Sequence, residues 1–444
     1  METGTMLPFV SELSSRIVRG EPTAEALARA LIARVQECEP SVQAWAWFDA
    51  AHLLAQAVDF DERRGRGEAG GPLAGLPVAV KDIIDVAGMP TEDGTVLHAG
   101  RIADSDAAVV AGLRRAGGLP MGKTVTTELA TYAAGKTRNP HDPSRSPGGS
   151  SSGSAAAVAA GMAPLAIGTQ TNGSVIRPAA FCGVVGYKPS FGRIPRAGVL
   201  TQSPTLDQVG VFARSVEDAA LLAQTLFGHD ARDPATRPLP APPLLDVARG
   251  EPPAPPRFAW VATPWWDRVA PDARAAFGGL LVRLAGAAVP CELPAGAADA
   301  IGLHRTIMEA EIAGSYEREY ERGRDRLSDS LRAQIERGRR ITAVEHRRAV
   351  ERIDPLNRAF DALFSDFDAI LTPATLGTAP RFEDGTGDPL MCTLWTYCGM
   401  PAVSLPLLRG ADGLPLGVQL VGRRGDDARL LRTARWLVAY LENP

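Results

Sequence analysis

Short apolar segments alternate with helical patterns along most of this chain, and that alternation limits the folds available to it. Continuous apolar runs such as LPVAVKDII (76–84) and APLAIGT (163–169) are typical of buried strands. Helical patterns stand between such runs, for example SVEDAALLAQTLFG (215–228), where Ser215 predicts an N-terminal cap. This order favours an α/β fold, namely an α/β/α layered sandwich around a large mixed, mostly parallel β-sheet.

The composition argues against several classes of protein. A net charge of −4 over 444 residues offers no basic surface for nucleic acid or an anionic membrane. No stretch approaches the roughly 20 apolar residues that span a bilayer, and the N-terminus lacks a signal-peptide pattern. Six scattered histidines predict no metal site, and we expect no cofactor. The five cysteines have no CxxC spacing and suit a reducing cytoplasm; they are Cys38, Cys182, Cys291, Cys392 and Cys398.

Lys81 ends an apolar run, VAVKD, and is the first candidate for chemistry. A lysine at a strand end can extend its amine to solvent or pair with a neighbour, here Asp82. A lysine enclosed in an apolar layer behaves differently, because burial disfavours the ammonium form and lowers the pKa from ~10.4. In that environment Lys81 is a usable base near neutral pH.

A Gly/Ser-rich loop, SPGGSSSGSAAAVAAG (146–161), leads directly into an Ala-rich helix. The free amides at a helix N-terminus favour an anion. The alternatives are a flexible loop or a phosphate cradle. A nucleotide-binding loop of the GxxxxGK[ST] type requires a lysine that is missing here, which argues against nucleotide binding.

A tight Asn172–Gly173 turn presents Ser174 within GTQTNGSVIRPAAF (168–181), directly after a buried strand. Taken alone, this is equally an ordinary turn with a surface serine. Consecutive backbone N–H groups in such a turn can converge on one oxygen, which is the geometry that an oxyanion hole needs. A serine nucleophile needs a base, and no histidine lies nearby in the sequence. Lys81 is the candidate, since Ser–Lys pairs are a known variant of the catalytic triad.

Several long motifs resemble the amidase signature family. They are GLPVAVKD, GKTVTTELA, SPGGSSSGSAAAVAAGMAPLAIGTQTNGSVIRPAAFCGVVGYKPSFGRIPRAG and LDQVGVFARSVEDAALL, followed by LTPA, GMPAVSLPL and LPLGVQLVG. The resemblance implies the amidase signature fold as a single domain over 1–444. Residues 1–60 would form an N-terminal helical segment and 70–225 the signature core. Residues 231–257 would be a Pro-rich surface excursion, and 258–444 would complete the sheet and the pocket.

The resemblance also implies roles for individual residues. Lys81 matches the catalytic lysine, Ser150 the bridging serine and Ser174 the nucleophile, with the family's spacing of 24 between the two serines. The implied reaction hydrolyses the C–N bond of a carboxylic amide to a carboxylate and ammonia or an amine, through an acyl-enzyme. The backbone N–H groups of the oxyanion hole are expected from Thr171, Asn172, Gly173 and Ser174.

The chain departs from the family pattern beside the nucleophile. Gln170 stands where many members have aspartate, Asn172 where they have glycine, and Arg177 lies one position later than usual. Ser152 replaces a common glycine, which we interpret as tolerated. These differences bear on the geometry of the oxyanion loop and on the subgroup. The Gly149–Ser150 peptide bond is expected to be cis, as in other members.

Three functions are compatible with these motifs. A stand-alone amidase for a small or aryl amide is favoured, with urea-derivative and cyclic-amide or nylon-oligomer hydrolases as related options. The glutaminase subunit of a tRNA-dependent amidotransferase is the second, and it predicts partner subunits and ammonia release from glutamine. A non-catalytic binding protein is the third, disfavoured because all three triad positions are filled. The expected partners are a small-molecule amide and, by analogy, a second copy in a homodimer, with no nucleic acid and no membrane.

The pocket is harder to predict, because its residues come from distant segments. By position, Ala130, Tyr132 and Trp395 are pocket candidates, with ordinary core packing as the alternative. The segment TGDPLMCTLWTYCGMP (386–401) is expected to be a loop near the site. The charged stretches between residues 300 and 365 are interpreted as solvated helix faces.

Overall fold

The computed structural model describes residues 10–68 and 70–442, and a single β-sheet runs through it. The strands are β1 (Trp45–Trp47), β2 (Pro77–Lys81), β3 (Leu119–Thr124), β4 (Leu165–Gln170), β5 (Val185–Lys188), β6 (Gln208–Ala213), β7 (Phe258–Trp260), β8 (Ala288–Pro290), β9 (Ala369–Pro373), β10 (Ala402–Arg409) and β11 (Pro415–Val421). Within the described residues these 11 strands lie in the order β1-β3-β2-β4-β6-β5-β10-β11-β9-β7-β8. N-terminal and C-terminal halves of the chain therefore share one sheet.

Parallel pairing lies towards the two flanks of the sheet, and antiparallel pairing runs through its centre. β2 is parallel to β3 and β4, and β7 is parallel to β8 and β9. The edge pair β1–β3 and the central pairs from β4 to β9 are antiparallel. The predicted α/β sandwich around a large mixed sheet is confirmed. The parallel strand pairs lie in the two flanks of this sheet.

Helices cover the sheet in several groups. They are α1 (Val10–Val18), α2 (Ala24–Val42), α3 (Ala50–Gly65), α4 (Ala108–Arg115), α5 (Ser152–Ala159), α6 (Ile176–Cys182), α7 (Val216–Leu226), α8 (Leu244–Arg249), α9 (Pro271–Arg283), α10 (Ala300–Ser315), α11 (Glu317–Gly323), α12 (Asp329–Gly338), α13 (Ala343–Glu351), α14 (Ile353–Asp366), α15 (Leu390–Tyr397) and α16 (Asp427–Glu442). α7, α8 and α16 pack together against the sheet, as do α5 and α6, while α10 contacts α12, α13 and α15. No helix in the described ranges is long and apolar enough to cross a membrane.

Local sequence signals account for many of these elements. The apolar runs at 76–84 and 163–169 form β2 and β4, whose side chains are buried on both faces. The pattern at 215–228 forms α7, and Ser215 Oγ accepts from the backbone N–H of Asp218 at 3.0 Å, as predicted.

Two segments differ from their predictions. Residues 231–257 were expected to be an unpacked surface excursion, but they contain α8, whose Leu244 and Ala248 are fully buried against α7 and α16. Residues 386–401 were expected to be a loop, but they contain α15, every residue of which is buried. In both segments a short helix gains its stability from tertiary packing, which overrides the proline content and the mixed local pattern.

Candidate active site

Lys81 lies at the C-terminal end of β2, where the parallel neighbour β4 also ends. Parallel strands end at the same edge of a sheet, so Lys81 meets Thr169 of β4 and the loop before α5, which carries Ser150. Lys81 Nζ donates to Ser150 Oγ at 2.8 Å and to Thr169 Oγ1 at 2.7 Å. Two of the three side chains predicted to be catalytic are therefore in direct contact.

The environment of Lys81 favours its neutral form. The side chain has no exposed surface. Burial lowers the pKa of Lys81 well below its ordinary value, and the opposing effect of the Asp207 charge, which raises that pKa, is smaller. A neutral lysine amine has a free lone pair, so Lys81 can accept a proton from Ser150.

The Gly149–Ser150 peptide bond is cis, as the family resemblance predicted. Arg177 fixes the loop that contains this bond. Its buried guanidinium donates from Nη2 to the Gly149 carbonyl at 2.7 Å and from Nη1 to the Gly387 carbonyl. Arg177 thus connects the Gly/Ser loop to the segment before α15, a role that its displaced sequence position did not indicate.

Ser174 lies in the loop between β4 and α6. It is 8% exposed, so the residue is buried but retains a small accessible surface. Gln170 shapes this loop, because its Oε1 accepts from the N–H groups of Val175 at 2.8 Å and Ile176 at 3.0 Å. Within the described part of the chain, the Ser174 hydroxyl has no hydrogen-bond partner and the N–H groups of residues 171–174 donate to none. These four N–H groups are therefore available to an oxygen atom of a ligand.

Asn172 is held from three sides. Its Oδ1 accepts from Thr393 Oγ1 at 2.7 Å, its carbonyl accepts from Thr396 Oγ1 at 2.5 Å, and its Nδ2 donates to the Tyr132 hydroxyl at 3.3 Å. Thr396 Oγ1 also accepts from Gln170 Nε2 at 2.9 Å. The two departures from the family pattern thus belong to one hydrogen-bonded set. An ionised carboxylate at position 170 could not complete it, because a carboxylate has no proton to donate.

Two residues that the sequence analysis missed hold Thr171. Asp207 Oδ1 accepts from Thr171 Oγ1 at 2.6 Å, and its Oδ2 accepts from the N–H groups of Gln202 and Ser203 at 2.8 and 2.9 Å. Burial raises the pKa of Asp207 to about 6. His304 Nε2 lies 2.9 Å from the Thr171 carbonyl, and burial lowers the pKa of His304 to about 4, so a neutral ring donates this bond. No local motif marked His304, which lies 133 residues beyond Thr171.

A cavity of about 540 Å³ opens beside the Ser174 loop. Asn172 and Thr393 line it, together with residues of α10 and α12. This volume is typical of a site for a small molecule. Among the described residues, no group of three His, Cys, Asp or Glu side chains is placed to hold a metal ion.

The three predicted pocket residues lie in different surroundings. Tyr132 lines the cavity and contacts Asn172. Ala130 lines a separate small hollow of about 10 Å³ together with Thr169. Trp395 is 1% exposed and packs edge-to-face on Phe360, with ring centroids 5.6 Å apart, so it is a core residue in this structure.

Comparisons with known proteins give the class of this chain, which is an enzyme that hydrolyses carbon–nitrogen bonds. Residues 26–431 match the Amidase family model, and the chain belongs to this family. It is 36% identical to a glutamyl-tRNA(Gln) amidotransferase subunit of Symbiobacterium thermophilum, across 96% of this chain and 95% of that protein.

Solved structures of other proteins share this fold. One belongs to a vestigial protein complex that reveals the evolutionary origins of an s-triazine catabolic enzyme; its TM-score is 0.90 at 29% identity, covering 97% of this chain and 98% of that one. Another is 6-aminohexanoate cyclic dimer hydrolase in complex with its substrate, with a TM-score of 0.85 at 27% identity, covering 98% and 97%. Both likenesses span nearly the whole chain.

Proposed function

We propose that this protein is a stand-alone amidase that cleaves a carboxylic amide with a Lys81–Ser150–Ser174 triad. The observation that carries this proposal is the contact between the enclosed Lys81 amine and Ser150 Oγ, at 2.8 Å. A buried amine of lowered pKa beside a serine hydroxyl has the composition of a general base and a proton relay.

The mechanism assigns one step to each group. Lys81 accepts the hydroxyl proton of Ser150, and Ser150 accepts the hydroxyl proton of Ser174. Ser174 Oγ then attacks the amide carbon. The N–H groups of residues 171–174 stabilise the resulting oxyanion, where the loss of one donor typically costs about 3 kcal/mol. The proton returns through Ser150 to the leaving nitrogen. Water then hydrolyses the acyl-enzyme by the same relay and releases the carboxylic acid.

The nucleophile is tested by measuring intact-protein mass after incubation with a fluorophosphonate. We expect one adduct on the wild type, none on Ser174→Ala, and one on Ser365→Ala, which removes an exposed serine on α14 as a matched control. Ser174→Ala should also abolish ammonia release from amides while leaving the thermal transition in place. An adduct of equal yield on Ser174→Ala would contradict the assignment.

A second candidate is the glutaminase subunit of a tRNA-dependent amidotransferase. The amidotransferase relative is 36% identical over nearly the whole chain, which favours this alternative. It predicts ammonia release from glutamine and partner subunits that co-purify with the chain. Hydrolysis of other amides by the isolated chain, with no response to glutamine, favours the stand-alone enzyme instead.

The related hydrolases of cyclic amides and urea derivatives belong to the same substrate screen, since solved structures of amide and s-triazine chemistry share this fold. A cytoplasmic location and a homodimer are further proposals, the first supported by five free thiols and the second by analogy alone. Light scattering on the purified chain tests the homodimer: twice the mass of 46.9 kDa is expected.

A further inference from the structure

Two backbone carbonyls of the Ser174 loop each accept a hydrogen bond from a buried side chain. The carbonyl of Thr171 accepts from His304 Nε2 at 2.9 Å, and the carbonyl of Asn172 accepts from Thr396 Oγ1 at 2.5 Å. His304 and Thr396 are each 1% exposed. They lie on α10 and α15, so two helices from the C-terminal part of the chain hold this loop.

Each of these carbonyls belongs to a peptide unit whose N–H group is expected in the oxyanion hole. Among the described residues the cis peptide bonds lie elsewhere, so the Thr171–Asn172 and Asn172–Gly173 bonds are trans. In a planar trans peptide the C=O and N–H bonds point in opposite directions. The bond to the Thr171 carbonyl therefore sets the direction of the Asn172 N–H, and the bond to the Asn172 carbonyl sets that of the Gly173 N–H.

The two donors are fixed in their chemistry as well as in their place. Burial lowers the pKa of His304 to about 4, so the ring is neutral at neutral pH and carries its one N–H on Nε2, facing the loop carbonyl. The single proton of the Thr396 hydroxyl goes to Asn172, because the alternative acceptor, the Cys392 carbonyl, is farther away at 3.2 Å. Gln170 Nε2 donates to the same hydroxyl at 2.9 Å and occupies one of its lone pairs.

We propose that His304 and Thr396 are positioning residues of the oxyanion hole, which keep the N–H groups of Asn172 and Gly173 directed at the oxyanion. This inference rests on the proposed amidase function and adds two residues to its machinery. If either peptide unit turned over, a carbonyl oxygen would face the developing negative charge in place of an N–H donor. A buried donor would also lose its acceptor, which folded proteins avoid. The two side chains therefore favour the reactive orientation of the loop before a substrate binds.

Paired variants test the positioning, one of each pair keeping the donor and the other removing it. His304→Leu and Thr396→Val remove the donor at similar side-chain size, while His304→Gln and Thr396→Ser keep one. The probe is a fluorophosphonate, whose phosphoryl oxygen gains negative charge as the serine attacks. The labelling rate, measured by intact-protein mass at increasing probe concentration, gives the limiting rate kinact and the half-saturating concentration KI.

We expect kinact to fall by about tenfold or more in His304→Leu and in Thr396→Val, with KI within about threefold of the wild type. A loss in kinact alone is the signature of an interaction made in the transition state. His304→Gln and Thr396→Ser should retain most of kinact, because each still offers a donor to its carbonyl.

Thr137→Val is the matched control. Thr137 is also 1% exposed, and its hydroxyl donates to a backbone carbonyl, that of Gln43, at 2.8 Å. This variant removes the same kind of buried hydrogen bond and should label at the wild-type rate. An unchanged kinact in His304→Leu and Thr396→Val, or an equal loss in the variants that keep and that remove the donor, overturns the inference.

Crystal structures separate this inference from the proposed nucleophile, because they need no turnover. The Thr171–Asn172 peptide plane is compared in the wild type, His304→Leu and His304→Gln. A peptide that turns over in His304→Leu and keeps its orientation in His304→Gln supports the positioning role, even if the wild type does not label and the proposed nucleophile is wrong. The same orientation in all three structures, with a wild type that labels, overturns the positioning role and leaves the amidase proposal intact.

Discussion

Lys81→Met tests the electrostatics of the site, because it removes the amine and keeps an unbranched apolar side chain. In the unfolded chain, lysine has a pKa of ~10.4 and is protonated at pH 7. Burial lowers the pKa of Lys81 well below that value in the folded protein, so between the two pKa values folding removes a proton that the unfolded chain keeps. In that range the free energy of unfolding of the wild type rises by ~1.36 kcal/mol for each pH unit.

Methionine loses the two hydrogen bonds from Nζ to Ser150 and Thr169, worth about 1 kcal/mol each. We therefore expect Lys81→Met to be inactive and to gain stability relative to the wild type as the pH falls from ~10.4 towards 7. The unfolded wild type binds a proton that the folded state does not, so wild-type stability rises with pH up to ~10.4. The advantage of the variant should shrink by about 1.4 kcal/mol per pH unit.

The measurement is urea unfolding of the full chain between about pH 7 and about pH 9.5, followed by tryptophan fluorescence. Lys136→Met, which makes the same substitution at an exposed lysine, is the matched control. A Lys81→Met difference that stays constant across this range would refute the reasoning, since it would mean that folded Lys81 keeps its proton.

Two further predictions concern the Ser174 loop. Asp207→Asn keeps the neighbouring hydrogen bonds, since the Thr171 hydroxyl can accept as well as donate, but it removes the charge that raises the pKa of Lys81. The acid limb of the pH profile of kcat/KM should therefore move to lower pH in the variant. An acid limb at the same pH in wild type and variant would rule out the electrostatic effect of Asp207 on Lys81. Gln170→Leu leaves the N–H groups of Val175 and Ile176 without their acceptor and should lower kcat by about tenfold or more. Gln170→Glu, which keeps the acceptor oxygens, should lose less, and equal kcat values for the two variants would contradict this role of Gln170.

The elements with a strong local signal were predicted from the sequence, and those that depend on packing were not. The apolar run that forms β2 and the capped pattern that forms α7 carry their information within a few residues. β1, of three residues, and α6, which contains Pro178, carry too little local pattern and exist because the sheet and neighbouring helices hold them. α8 and α15 were missed for the same reason, since tertiary contacts stabilise them more than their own propensities do.

The sequence by itself determined the family, the α/β fold class and the residue types available for chemistry: a lysine at a strand end and serines in two Gly-rich loops. Only the tertiary structure decided that Lys81 is enclosed and that Arg177, Asp207 and His304 support the loops. Burial and Coulomb interactions depend on distance in space. The contacts of Arg177, and those of Asp207 and His304 with Thr171, join residues 28 to 210 positions apart, and no local pattern encodes such separations.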